Sequence, residues 1–434
     1  MSNTSVKPPS GMKMDIDPKD IIKLLTFNTW GLKYISKFRR ERFQALAERL
    51  SNPSPGDEFD IVALQEVWCQ EDWDTIEESC KNLYPYRRLF KSGIVTGPGL
   101  ALLSKIPIEE TFLYRFPING RPSAFYRGDW FVGKSVAVTL LKPHRLGATP
   151  VAVMNSHMHA PYGVGDNSYS CHRACQAWDI TRIIKILKRS GYAVIQVGDL
   201  NSKPGSLPYE LFRVEGGLMD SWKECSKETF SNEEIASMNP TDQVTLGGIT
   251  CDSQLNTWRS KRKRWEACRL DYALIDPKML APISAAVKFF ERLPEPYNCS
   301  FSDHFAYSVN LRICNKDEFR EKFHCGNLEK LTVYKQLISE IEEYRTYTIP
   351  FQASWRKIYF ITSMAFVVAM HVVIGFVSSQ IPFLSVLLLF VTVFAGITGV
   401  INGLIWYCSV RSELRALDEV QNEVEDLFAS VKNK

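Results

Sequence analysis

None of the eleven cysteines stands in a C-x-x-C pair, so neither a zinc-ribbon motif nor a regular disulfide framework is suggested. Their odd number points to free thiols in a reducing compartment. No charge of one sign dominates: 52 Lys and Arg against 48 Asp and Glu leave a net +4, which by itself identifies no partner. Residues 1–20 lack any apolar stretch and carry Pro8, Pro9 and Pro18, so they read as a disordered tail with no cleaved secretory signal. Long apolar runs are missing until about residue 358. The 434 residues are enough for a full catalytic domain with further elements after it.

What is present is a set of short apolar runs, each stopping on polar residues. The clearest is 193–204, where Ala193, Val194, Ile195 and Val197 lead into Gly198-Asp199-Leu200-Asn201 and then Pro204. Side chains alternate along a strand, so Asp199 and Asn201 point the same way at its mouth; an ordinary Asx turn is the competing reading. The run 21–29 ends at Asn28, and 59–67 ends on Gln65-Glu66. A carboxylate at the end of a buried strand is costly unless it is paired or metal-bound. The run 151–157 delivers His157, with His159 beyond it, and 269–275 carries Asp271. Ser302-Asp303-His304 begins the last strand, to about residue 311. Helices are expected at about 36–50, 71–83, 168–188 and 207–214, further strands at 86–91, 99–104, 108–116, 136–141 and 283–290, and a loop-rich stretch at 215–249. The pattern is a mixed α/β domain, with sheets inside and helices outside.

His304 adjoins Asp303 and has a second candidate partner in Asp271, which suits a general base. His157 and His159, spaced at period two, offer either metal ligands or a donor to an anionic oxygen. Gly128 to Ser135 matches the nucleotide loop G-x-x-x-x-G-K-S letter for letter. Its physical context is wrong, because Trp130, Phe131 and Val132 fill the loop and a strand follows where a helix is needed. Asp129 and Lys134 there read as a partner-facing or regulatory loop, or as a solvated turn. The basic run 259–264 is a solvated loop or a contact for phosphate headgroups.

Asn28, Gln65-Glu66, His157, Gly198-Asp-Leu-Asn201, Arg269-Leu-Asp-Tyr272 and Ser302-Asp-His304 come in an order that resembles the endonuclease/exonuclease/phosphatase superfamily. The likeness covers about 23–312 and implies a DNase I-like four-layer α/β sandwich. Gln65-Glu-Val-Trp68, Asn155-Ser-His-Met-His-Ala160 and Gly198 to Pro204 are most similar to the neutral sphingomyelinases, and the chain's layout to the fungal inositol phosphosphingolipid phospholipases C. The resemblance implies a sphingolipid phosphodiesterase of phospholipase C type. In this reading Glu66 and Asn28 hold Mg²⁺, His304 is the base, Asp271 fixes its tautomer and Asp199 orients the water. Asn201 and His157 contact the phosphate, and Asp129 with Lys134 forms a switch. Nucleic acid is not an expected partner. The alternatives are a membrane-tethered inositol phosphate phosphatase or a nuclease of the same superfamily.

Residues 358–378 and 382–408 are almost wholly apolar, and each reaches the ~20 residues needed to cross a bilayer. With only 378–382 between them they form a hairpin. Arg345, Arg356, Lys357, Arg411 and Arg415 flank its open end, which puts both termini and the catalytic domain in the cytosol, on endoplasmic reticulum or mitochondrial outer membrane. The expected divisions are a tail at 1–20, a catalytic domain at 21–313, an amphipathic linker at 314–356, spans at 357–410 and a terminal helix at 411–434. Anionic phospholipids are candidate activators. The transmembrane or C-terminal helices are candidates for self-association. A chain ending near Arg312 is expected to keep its fold.

Overall fold

The computed structural model describes residues 20–433, apart from 125, 144–146, 163–168, 227–229 and 315–324. The expected tail therefore lies outside the described residues except for Asp20, as does the start of the linker.

Two six-stranded sheets face each other. The first is built from β1 (Ile21–Asn28), β2 (Ile61–Gln65), β3 (Tyr86–Leu89), β4 (Ala101–Ser104), β11 (Leu280–Lys288) and β12 (Ala306–Ile313), in the order β11-β12-β1-β2-β4-β3. The second holds β5 (Ile108–Arg115), β6 (Ser135–Leu141), β7 (Val151–His157), β8 (Ala193–Asp199), β9 (Met219–Asp220) and β10 (Asp271–Ile275), in the order β5-β6-β7-β8-β10-β9. The pairs β1–β2 and β7–β8 are parallel; the remaining pairs are antiparallel.

Period-two alternation assigns each side chain to a layer. Ile22 and Leu24 of β1, with Ile61 and Ala63 of β2, face Val153, Ile195 and Val197 of the second sheet. Their neighbours Leu25, Phe27, Val62 and Leu64 face outward onto α1 (Arg39–Ser51) and α2 (Gln70–Cys80), through Phe43, Leu46, Trp73 and Ile76. On the far side, Ala152, Met154 and Val194 meet α4 (Ser170–Arg189) and α5 (Leu207–Val214). The result is the four-layer DNase I-like sandwich.

A polar cluster interrupts the apolar layer between the sheets. Gln65 Nε2 donates to Asn155 Oδ1 at 2.8 Å and to Thr26 Oγ1 at 3.0 Å, while Asn155 Nδ2 donates to the carbonyls of Leu64 and Ala101 at 3.0 and 3.2 Å. All these groups are buried, so each needs its partner.

Three departures from the sequence reading matter. The stretch read as loop carries β9 and three short helices, α6 (Ser221–Cys225), α7 (Asn232–Ser237) and α8 (Pro240–Thr245). Each helix starts on a capping Asp220, Ser231 or Asn239, whose side chain accepts a backbone N–H. Between Gly128 and Gly133 the segment read as a loop is a single helical turn, α3 (Asp129–Val132), while the strand expected after it is present as β6. His304 precedes β12 and forms an isolated antiparallel bridge with Cys251 rather than starting the strand.

The C-terminal part holds α9 (Asn327–Glu343), α10 (Ile349–Val377), α11 (Pro382–Leu404) and α12 (Val410–Lys432). A π-helical turn at Tyr344–Thr348 joins α9 to α10, and another at Ile405–Ser409 joins α11 to α12. Asn327–Val377 and Pro382–Lys432 are thus continuous helices of 51 residues each, long and apolar enough to cross a membrane. Phe376, Phe383, Phe390 and Phe394 stand exposed on them, unlike the side chains of a soluble core helix.

The domain-side halves of these helices behave differently. Val333, Tyr334, Leu337 and Ile341 of α9, with Leu417, Val420 and Val424 of α12, are buried in the same core as Trp178 and Ile184 of α4. The apolar stripe of α12 is therefore covered within the chain. A chain ending near Arg312 would uncover that core. Each of these seven side chains contributes about 1.5–3 kcal/mol by burial, against a typical net margin of about 5–15 kcal/mol. Truncation there is expected to abolish the cooperative thermal transition of the detergent-solubilised protein; a transition within a few degrees of the full chain would refute this.

Candidate active site

The strand registers bring the polar ends together. Asn28 pairs with Gln65 across β1–β2, His157 with Asp199 across β7–β8, and Asp271 with Asp199 across β10–β8. The backbone then leaves these strand mouths through left-handed conformations at Trp30, Glu66 and Asn201, with φ of 50°, 60° and 45°. Non-glycine residues pay for such conformations, which concentrate at functional sites.

Asn28 Nδ2 donates to Glu66 Oε1 at 3.1 Å and to Asp199 Oδ2 at 3.0 Å. Its Oδ1 accepts the Trp30 N–H at 3.1 Å, so the amide turns its NH₂, not its oxygen, toward Glu66. Asp199 Oδ1 accepts the Asn201 N–H at 2.9 Å. His157 Nε2 lies 3.8 Å from Glu66 and 3.6 Å from Asp199. His304 Nδ1 is 2.8 Å from Asp271 Oδ2, and its Nε2 faces Asp199 at 3.8 Å. Of the two partners open to His304 in the sequence, Asp271 is the one in contact; Asp303 pairs with Arg259 at 2.5 Å.

Electrostatics separates the roles. Burial, with Asp303 nearby, lifts the Glu66 carboxyl to about 7 against the pull of Lys134. Burial lifts Asp199 to about 6, with His304 opposing and Asp271 reinforcing the rise. Burial, with Lys134 and His304, pushes His157 well below the usual imidazole range, so it is neutral. Burial pulls His304 down too, but Cys251, Asp271 and Asp199 hold it well above that range. Cys251 is itself kept protonated by its hydrogen bond to Cys268 and by burial, so the two carboxylates carry the effect on His304.

Asp129 and Lys134 sit beside this floor. Lys134 Nζ is 3.4 Å from Asp129 Oδ1 and donates to the Met158 carbonyl at 3.2 Å. The same carbonyl accepts Asn201 Nδ2 at 3.0 Å. From Asp129 a train of side chains runs to the apolar helices. His159 Nδ1 lies 3.4 Å from Asp129 and its ring stacks on Tyr169. His172 meets Glu413 at 3.1 Å, Tyr344 OH donates to Glu413 at 2.7 Å, and Arg121 donates to Tyr344 OH at 2.9 Å.

Sequence reasoning missed Arg42. Its buried guanidinium donates to the carbonyls of Thr29, Trp30 and Phe301 at 3.0, 2.8 and 2.6 Å. It thereby ties the segment after Asn28 to the segment before His304. The helix expected over 36–50 includes it, but the folded contact with Phe301 spans 259 positions. Arg259 was likewise seen only as part of a basic run.

All the predicted site residues border one cavity of about 1020 Å³ or support its floor. Glu66, Asp199 and Asp303 line it, with Asp271 just behind. Among the described residues no Lys or Arg lies within ion-pair distance of Glu66. A buried carboxylate raised by a second one, with no cation on it, fits a divalent metal ion with hard oxygen ligands.

A family model described as "Endonuclease/Exonuclease/phosphatase family" matches residues 25–304. The chain belongs to this family. It is 48% identical over 434 residues to "Inositol phosphosphingolipids phospholipase C" of Saccharomyces cerevisiae, covering 93% of this chain and 90% of that protein. It is 34% identical over 335 residues to "Sphingomyelin phosphodiesterase 2" of Mus musculus, covering 75% of this chain and 72% of that protein. The crystal structure of sphingomyelinase C from Streptomyces griseocarneus aligns at 18% identity with a TM-score of 0.46, over 67% of this chain and 99% of that one. Within the family, the chain falls among the inositol phosphosphingolipid phospholipases C and neutral sphingomyelinases.

A cation competes with the proton for Glu66, so metal affinity is expected to rise as pH passes upward through about 7. Glu66→Gln is expected to weaken binding by about tenfold or more and to flatten that pH dependence. Isothermal titration calorimetry with Mg²⁺ at several pH values checks both.

Proposed function

We propose that this protein is a membrane-anchored phospholipase C that cleaves the phosphodiester between ceramide and the headgroup of inositol phosphosphingolipids, sphingomyelin or both. One observation carries the reading. A carboxylate–imidazole floor lies in a cavity rimmed by Leu32, Phe131 and Val132, in a chain that also holds two helices apolar enough to enter a bilayer. The activities for which its relatives are named support the same substrate class.

Mg²⁺ is the metal proposed. Glu66 is assigned to hold it, with Asn28 steadying that carboxylate through its NH₂. When bound, the ion supplies positive charge to the phosphoryl oxygens and the leaving alkoxide. His304 takes the proton of the attacking water on Nε2, because Asp271 holds the proton on Nδ1. Asp199, beside that Nε2, orients the water. Neutral His157 and the second amide hydrogen of Asn201 donate to the non-bridging oxygens as their charge grows. Asp129 and Lys134 regulate the site, since Lys134 and Asn201 share the Met158 carbonyl.

Anchoring keeps enzyme and lipid in one surface and raises their effective concentration. The basic flanks Arg345, Arg356, Lys357, Arg411 and Arg415 support a cytosolic domain and cytosolic termini. Endoplasmic reticulum or mitochondrial outer membrane is the proposed location, and anionic phospholipids are the proposed activators.

Labelled sphingolipid, DNA and inositol phosphate offered side by side with Mg²⁺ test the reading: release of ceramide is expected, and turnover of either other substrate in its place would overturn it. His304→Ala is expected to lower kcat by about 10²–10⁴-fold with Mg²⁺ affinity nearly unchanged.

A raised His304 is protonated below its folded pKa and becomes a base only above it. The acid limb of the pH–rate profile is therefore expected on the alkaline side of an ordinary histidine. In Asp271→Asn, which removes one supporting charge, the limb moves to lower pH and the plateau falls. A limb that stays in place in this variant would rule out Asp271 as the partner that sets it.

A further inference from the structure

Exposed apolar side chains gather at the mouth of the cavity. Tyr34 and Ile35, in the loop after β1, are 93% and 69% exposed; Ile94 and Val95, in the loop after β3, are 73% and 70% exposed. Tyr34, Ile35 and Val95 line the same opening. Single exposed apolar residues are ordinary, but a cluster around one opening marks an interaction surface.

The second loop is firmly held. The N–H groups of Ile94 and Val95 both point to the Phe131 carbonyl, at 2.8 and 3.4 Å. Gly93, at φ +70°, lies so close to α3 that a Cβ there would meet the Val132 carbonyl oxygen at 2.4 Å. The apolar tip is thus fixed on the turn that carries Asp129.

Charge and position say what covers it. Lys37 and Lys91 stand exposed in the segments that carry the two tips, and Lys33 stands exposed there too, paired with Glu71 at 3.8 Å; such ammonium groups suit anionic headgroups. The same opening is lined by Arg127 and Tyr162. Arg127 lies over the Tyr162 and Tyr169 rings, Arg121 over the Tyr169 and Tyr344 rings, and Tyr344 opens the turn leading into α10. The mouth is therefore continuous with the neck from which the apolar helices depart.

We propose that Tyr34, Ile35, Ile94 and Val95 form a second membrane contact, separate from the helical hairpin, that seats the cavity mouth on the surface of the bilayer. This rests on the sphingolipid reading above. The Ile94–Val95 tip is backed by α3, so lipid contact is also felt at Asp129.

The test uses the full chain. Tyr34→Glu and Ile94→Glu are compared with wild type and with Ile283→Glu, a half-exposed residue on β11, away from the mouth. Substrates are sphingolipid in phosphatidylcholine–phosphatidylserine vesicles and a short-chain analogue dissolved as monomer. The rim variants are expected to lose about tenfold or more on vesicles and to stay within about twofold on the monomer, with Ile283→Glu unchanged on both. Equal losses on the two substrates, or no loss on vesicles, overturn the proposal. A second measurement needs no turnover: the added tryptophan of Ile94→Trp is expected to be quenched by dibrominated lipid in the same vesicles, and no added quenching overturns it. Quenching without sphingolipid turnover by wild type refutes the substrate and leaves the surface; turnover indifferent to the rim refutes the surface and leaves the substrate.

Discussion

One amide holds the two sheets of this protein in catalytic register. Asn28, from the first sheet, donates through a single nitrogen to Glu66 of its own sheet and to Asp199 of the other. Two buried carboxylates repel each other and resist desolvation; a shared donor lets both approach one cavity without a fixed cation between them. The surroundings reinforce the arrangement. Trp30 N–H fixes the amide's orientation, Ser302 Oγ donates to the Asn28 carbonyl at 2.7 Å, and Arg42 fastens the segments on either side. The site is thus set by backbone and amide contacts before any ion arrives.

That arrangement leaves surplus negative charge in a dry place. Glu66 and Asp199 are both raised by burial, while His304 is held charged by the carboxylates around it. The fold carries the cost of bringing acids together, and a bound divalent ion would relieve it. The imidazoles divide accordingly. His157 stays neutral chiefly through burial, with Lys134 and His304 reinforcing the shift, whereas His304 has a carboxylate at each nitrogen. Two histidines with opposite shifts within one cavity are suited to different jobs.

Much of this was legible in the sequence because strands alternate and stop. Each apolar run that ended on Asn28, Glu66, His157 or Asp199 announced both a buried strand and a polar group at its mouth. The His304 partner was legible only as a choice between Asp271 and Asp303, since adjacency in sequence says nothing about which way a turn aims two neighbouring side chains. Arg42 was invisible as a site element, because the Thr29, Trp30 and Phe301 carbonyls it binds are assembled by tertiary folding. The short helices between β9 and β10 escaped notice because their stability comes from caps and packing rather than from an apolar period. The division into linker, span and terminal helix followed changes in polarity. The backbone ignores those changes, because a helix propagates through charged and greasy residues alike when its hydrogen bonds are met internally.

That last feature has a mechanical consequence. A helix of 51 residues is a rod of roughly 75 Å at 1.5 Å per residue, more than twice the thickness of a bilayer's oily interior. Both rods are sunk into the body of the catalytic domain at one end, through Leu337 and Leu417. Domain and hairpin therefore turn as one piece; in the membrane-anchored arrangement proposed above, a lean imposed by a thinner or thicker bilayer would reappear as a change in the angle at which the enzyme addresses the leaflet.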